Sequence, residues 1–408
     1  MPSTSQNNNS AAVVSGATEH FVETHRHADV SQLALRGCND PEVNLPLALR
    51  QIEGRQRAEA KGLAYAAVDG ILYPPHLNME QCSSGLTACY KAEVATRIAG
   101  TDTQRFVDLT GGFGVDFCEL AKHFDEAVYV ERNTTLCDLA RHNFPLMHLN
   151  NAKVVNAEAS HFIESMKGEA SLLFLDPARR DANGARTFAI GDCQPNVLGM
   201  LDRLLHKGRH VMLKLSPMLD IKRTVDDLGA VHVKEVHVVS AFNECKELLV
   251  VLGKDSSETQ VYCHDEGSAT LTFSLQERTL PLISADSIED FSYLYEPNAA
   301  IMKAGAFGPL SQRWKVTPVS SNSHLFLSKE PIKDFPGRTF SISAVSSMGK
   351  RELRQALGSI KQANVSVRNF PMPAESLRHK LKLKDGGDNY IFATTLANGR
   401  HTLIICKK

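Results

Sequence analysis

The chain has 408 residues, with 45 Lys and Arg against 46 Asp and Glu, and 43% of its residues are hydrophobic, the balance of an ordinary globular protein. Its longest apolar runs, such as residues 248–252, fall far short of the ~20 residues that cross a bilayer, so a membrane partner is excluded from the reading. Nine cysteines, an odd count with no Cys-x-x-Cys, suggest neither a disulfide framework nor a metal site and point to reduced thiols in the cytoplasm.

Residues 1–18 are polar, lack a charged start followed by an apolar core, and read as a disordered lead rather than a secretion signal. Residues 19–104 place apolar side chains at helical spacing, with a turn at Asn39-Asp40-Pro41. Between 105 and 255 short apolar runs (RFVDL, AVYVE, AKVVN, SLLFLD, HVMLKL, ELLVVLG) alternate with amphipathic helices. That alternation predicts a parallel sheet covered on both faces. The segment 256–330 turns to period-two alternation (SATLTFSLQ) and then one helix (EPNAAIMKAGAFGPL), a small α+β unit. Residues 331–408 read β-α-β-β-β. No internal repeat is present.

The near-neutral total hides a division. Residues 331–408 hold 14 Lys and Arg against 5 Asp and Glu, a net +9, which leaves 31 basic against 41 acidic groups, −10, in the rest. A basic module joined to an acidic one asks for a polyanionic partner.

The stretch DLTGGFGVD, residues 108–116, lies between a strand and a helix. Glycines there let a ligand approach the backbone and open a helix N-terminus. Glu131 stands twenty residues beyond Gly111 at the end of the next strand, where a carboxylate accepts hydrogen bonds from ribose hydroxyls. Glu158 and Asp176 follow two further strands, so four strands in succession finish with a carboxylate at the edge where open α/β sheets bind ligands. Acidic residues at both ends of the loop, Asp108 and Asp116, would repel a pyrophosphate and welcome an ammonium or a sulfonium.

This arrangement resembles motif I of the class I S-adenosylmethionine-dependent methyltransferases, over residues 105–252, and implies their seven-stranded Rossmann-like core. The resemblance implies that Asp108, Thr110, Gly111, Gly112, Gly114 and Asp116 form the cofactor loop, that Glu131 holds the ribose, and that Glu158 with Ala159 meets the adenine. Asp176 and Pro177, in DPARR, would stand beside the transferred methyl. Thr110 occupies the place of a first glycine, and Glu158 that of a commoner Asp. Arg179 and Arg180 are placed to grip a phosphate or orient a base, or else are solvated loop charges. The strand end LKLSP offers Leu215 and Ser216 where a pyrimidine carbon-5 enzyme carries its cysteine, which points to direct transfer. Ser83 or Ser84 caps a helix bearing Thr87, Tyr90 and Lys91. His25 and His27 have no third ligand.

In the tail, Arg368, Arg378, Lys380, Lys382 and Lys384 are candidates for RNA contact. The alternation Lys380-Leu381-Lys382-Leu383-Lys384 reads as a strand buried on one side, its lysines facing phosphates or guarding an edge. Residues 331–408 resemble the THUMP-like domain fused to a group of class I methyltransferases, and 256–330 resemble the small ferredoxin-like insert of that group. The resemblance implies an S-adenosylmethionine-dependent RNA methyltransferase acting on tRNA or rRNA. The alternatives are a non-catalytic cofactor- or RNA-binding protein, and a methyltransferase of a protein or small molecule.

Overall fold

A computed structural model describes residues 15–179, 190–255, 257–285 and 287–408. Ser15 caps helix α1 (Gly16–His25) by accepting the Thr18 N–H, so helix begins within the stretch expected to be disordered; residues 1–14 of that lead lie outside the described residues. Helices α2 (Val30–Arg36), α3 (Leu45–Ala60), α4 (His76–Gln81) and α5 (Gly85–Ala99) complete the N-terminal region. Ser84 caps α5 through the Thr87 N–H.

Strands and helices then alternate: β1 (Arg105–Asp108), α6 (Val115–Ala121), β2 (Glu126–Glu131), α7 (Thr134–Leu146), β3 (Ala152–Asn156), α8 (Ala159–Ser165) and β4 (Ala170–Leu175). A two-stranded antiparallel ribbon, β5 (Ala178–Arg179) and β6 (Cys193–Gln194), precedes α9 (Val197–Lys207), β7 (Gly208–Leu215), α10 (Ile221–Leu228), β8 (Val233–Ala241) and β9 (Glu244–Leu252). β1 pairs in parallel with β2 on one side and β4 on the other; β3 extends the first side and β7 the second. The chain therefore reverses its direction of winding between β1 and β4, the crevice where doubly wound sheets take ligands. All six residues of β4 are buried, as a strand covered on both faces requires.

The sheet has nine strands, not seven, in the order β11-β10-β8-β9-β7-β4-β1-β2-β3. The added strands, β10 (Gln260–Asp265) and β11 (Leu271–Ser274), fall in the segment expected to form the small insert. β10 runs parallel to β8 and antiparallel to β11, and Val261, Cys263, Leu271 and Phe273 are buried. Period-two alternation marks a half-buried strand without saying which sheet it joins. The chain divides into two compact units, residues 1–234 with 249–257, and 235–248 with 258–408.

The second unit is built on a seven-stranded sheet ordered β13-β14-β12-β15-β18-β17-β16. Its members are β12 (Tyr293–Pro297), α11 (Ala299–Ala304), α12 (Phe307–Trp314), β13 (Thr317–Pro318), β14 (Phe326–Ser328), β15 (Gly337–Ser347), α13 (Lys350–Leu357), β16 (Asn364–Arg368), α14 (Ala374–Leu381), β17 (Asn389–Thr395) and β18 (His401–Lys407). β12 pairs with both β14 and β15, so one ladder runs across the boundary expected near residue 330. One core holds Leu294, Leu327, Phe340, Phe392 and Ile404; another holds Leu377, Ile391, Leu403 and Ile405, with Leu381 and Leu383 packed against it.

The lysine-rich stretch is not a strand. Lys380 lies in the last turn of α14, Lys382 is its C-cap with φ 57°, and Lys384 forms an isolated parallel bridge with Gln362. Helical spacing of Leu377 and Leu381 after Pro373 brings those leucines to the core, and the left-handed cap returns Leu383 to it. The three lysines are exposed.

Candidate active site

The glycine loop is shaped from below by Tyr129 of β2. A Cβ on Gly111 would fall 2.1 Å from Tyr129 Cε2, and the Tyr129 hydroxyl donates to the Gly112 carbonyl at 2.5 Å. Gly111 N–H donates to the Val130 carbonyl, and Gly114 (φ 86°) starts α6. A Cβ on Gly112 (φ 56°) would meet the Thr110 carbonyl oxygen at 3.8 Å, an ordinary contact, but in a backbone conformation that a side chain rarely adopts. Its N–H donates to Glu131 Oε2 at 3.0 Å, while Asn133 N–H donates to Oε1 at 2.8 Å. Glu131 is thus fixed beside the loop with lone pairs still free on each oxygen.

Asp108, at the end of β1, is 1% exposed and accepts the Thr110 N–H at 2.9 Å. Burial drives its carboxyl well above the ordinary aspartate value against the Thr110 hydrogen bond, and the negative charges of Asp116, Asp176 and Glu131 drive it further. Thr110, in place of a first glycine, accepts the Asp176 N–H on its hydroxyl at 2.6 Å, a tie between the loops after β1 and β4.

Asp116 points elsewhere than the loop's role suggests. The Ser83 hydroxyl donates to its Oδ2 at 2.8 Å and the Lys91 ammonium stands 3.2 Å from Oδ1. Burial opposes its ionisation, but Lys91, Lys214 and Ser83 together hold the carboxyl below the usual value. Lys91 is fully buried and also donates to Ser83 at 3.2 Å. Lys214, in β7, lies 4.0 Å from Asp116 Oδ2 and donates to Asp176 Oδ2. The result is a row of alternating charges, Lys91, Asp116, Lys214 and Asp176, whose last member is the most open. Among the described residues no donor is recorded on Asp176 Oδ1.

Sequence reading missed Lys214, although a lone charge in the apolar strand HVMLKL asks for a buried partner. It also missed the Ser83–Asp116 bond, since Ser84 is the helix cap. Glu158 and Ala159 sit at the start of α8; Glu158 is half exposed, 3.9 Å from Arg132. Arg179 ends β5, and Arg180 lies outside the described residues. In the second unit, Arg368 Nη2 donates to buried Glu296 at 2.6 Å and Arg378 lies 3.4 Å from Asp385, so neither is a free surface charge.

A doubly wound sheet with carboxylates at its switch point and a glycine loop opening a helix defines a Rossmann-like methyltransferase core. Residues 293–336 match the model of a ferredoxin-like domain, and residues 337–408 that of a THUMP domain-like family. Two Mycobacterium tuberculosis relatives, each described as an uncharacterized S-adenosylmethionine-dependent methyltransferase, are 24% identical over 338 residues, covering 79% of this chain and 84% of theirs. The crystal structure of a "putative methyltransferase" from Porphyromonas gingivalis is 30% identical, with a TM-score of 0.83, covering 96% of this chain and 97% of that one. The chain belongs to the family of that methyltransferase. It is an S-adenosylmethionine-dependent methyltransferase with a C-terminal THUMP-like domain.

Proposed function

We propose that the enzyme methylates RNA, of the tRNA or rRNA class, by direct transfer. The observation that carries the RNA assignment is the THUMP-like region: residues 331–408 hold +9 on an otherwise acidic chain, with Lys380, Lys382 and Lys384 exposed. Phosphates supply the counter-charge such a surface lacks. Arg368 and Arg378 would contribute with the donors their carboxylate partners leave uncommitted.

The loop residues fit the cofactor. Glu131 accepts the Gly112 N–H, and Asp176 and Glu131 place negative charge near the loop, suited to a cationic ligand. Asp108, Gly111, Gly112 and Gly114 would hold the methionine part, Glu131 the ribose, and Glu158 with Ala159 the adenine. Asp116 supports this site from behind through Lys214. When bound, the cofactor supplies an electrophilic methyl on a sulfonium. Asp176, fixed by Thr110 and Lys214, presents Oδ1 to accept a hydrogen bond from the nucleophile and orient its lone pair. A cysteine adduct finds no support near the loop. Burial pushes Cys118 up to about 12 against its Tyr65 hydrogen bond, and burial and Glu131 raise Cys137.

The test is incubation of the purified enzyme with methyl-labelled S-adenosylmethionine and total RNA, then digestion to nucleosides. A labelled nucleoside is expected. Label confined to protein or small molecules would overturn the RNA assignment and leave the methyltransferase.

A further inference from the structure

The second unit contains a polar cluster that the methyl-transfer site does not use. Glu296, in β12, is 5% exposed at its side chain, yet it faces two arginines. Arg338, its cross-strand neighbour in β15, donates from Nε to Oε2 at 2.7 Å and again from Nη2. Arg368, at the end of β16, donates from Nη2 to Oε1 at 2.6 Å. One carboxylate for two guanidiniums leaves a positive charge, and the arginine side chains are 42% and 37% exposed. Buried ion pairs of this kind are poor sources of stability, because desolvation offsets their attraction. Two further buried groups have no hydrogen-bond partner among the described residues: Arg368 Nε, and the hydroxyl of Thr394, which stands opposite Arg368 in the β16–β17 ladder.

The cluster is also separate from the exposed lysines. Lys384 bridges to Gln362 before the start of β16, whereas Arg368 ends that strand. Six extended residues place them roughly 20 Å apart. The basic residues that are close in sequence thus form two sites.

We infer that Arg338 and Arg368, held in fixed orientation by Glu296, form a phosphate-binding fork for the backbone of the RNA substrate. This rests on the RNA reading of the enzyme. Glu296 uses the inner edge of each guanidinium and leaves most of the N–H donors free for the paired oxygens of a phosphate. Because the carboxylate has already immobilised both side chains, little conformational entropy is lost on binding.

The full-length enzyme is titrated with a mixed-sequence single-stranded RNA oligonucleotide across a salt series, and separately with inorganic pyrophosphate. Arg338→Gln with Arg368→Gln should weaken RNA binding about tenfold or more. It should also flatten the salt dependence by about 1.4, at ~0.7 per lost phosphate contact. The Arg338→Lys, Arg368→Lys enzyme keeps the charge and the Glu296 pairing, so it should keep the slope while losing affinity severalfold, since ammonium cannot grip a phosphate in a fork. If the glutamine variant fails to fold, the lysine variant decides. S-adenosylmethionine affinity should be unchanged in both. RNA binding equal to wild type in both affinity and slope would make the cluster a structural clamp and leave the RNA reading intact. No RNA binding by the wild type overturns both, and arginine-dependent pyrophosphate binding in that case would assign the fork to a free phosphate ligand instead.

Discussion

At the scale of single residues, the glycine loop and Glu131 make one device. Gly112→Arg puts a bulky cation on the loop at a positive φ, and Glu131→Ala removes both the proposed ribose acceptor and the anchor of the Gly112 N–H. Each should weaken S-adenosylmethionine binding in calorimetry, Glu131→Ala by ~1.5–3 kcal/mol, the range for hydrogen bonds to a charged group. Unchanged affinity in both would sink the assignment of this loop. Asp176→Ala should lower turnover far more than cofactor affinity. Lys214→Met should do the same less severely, with Lys214→Arg restoring part of the rate; equal loss of affinity would assign the pair to binding. Asp108 supplies a pH signature. Its carboxyl is raised well above 3.8, so the unfolded chain ionises first as pH climbs, and this group's stability, full below that value, falls until the folded carboxyl also ionises. Asp108→Asn should therefore raise the neutral-pH melting temperature while weakening the cofactor.

At the scale of elements, strands β1 to β4 and β7 were legible because each is a short apolar run, and the expected ligand edge was read from carboxylates at or just beyond the ends of four of them. The Lys214 link was not, since contact between β4 and β7 side chains depends on strand order, which periodicity does not carry. The Lys380–Lys384 stretch misled for a local reason: five alternating residues satisfy a strand pattern, while the helix beneath them announces itself earlier, in Pro373, Leu377 and Leu381. The cap offers a check. Lys382 holds φ 57°, a region that costs a side chain roughly 1–2 kcal/mol and glycine almost nothing. Lys382→Gly should leave the protein as stable or raise its melting temperature by a degree or more. A drop of several degrees would argue for an extended conformation at this position.

At the scale of the whole molecule, composition revealed the charge division but not the continuity of the second sheet. A break at residue 330 would separate β12 and β14 from β15 and strip one side of the core formed by Leu294, Leu327, Phe340 and Phe392. Truncation there should yield insoluble protein, so the test of the basic region belongs in the intact chain. Lys380, Lys382 and Lys384 are exposed and sit at a helix end and the bridge that follows it, so replacing all three with Ser removes charge without touching the leucines beneath. Each lysine that neutralises a phosphate releases counterions, and three lost contacts at ~0.7 each should flatten the logarithmic salt dependence of RNA binding by roughly two units. Affinity should fall for all sequences alike, because phosphate contacts carry no base information. Cofactor affinity should stay at the wild-type value. A variant that binds RNA with undiminished slope would show that these lysines serve solubility alone, and the phosphate contacts would then fall to Arg338 and Arg368.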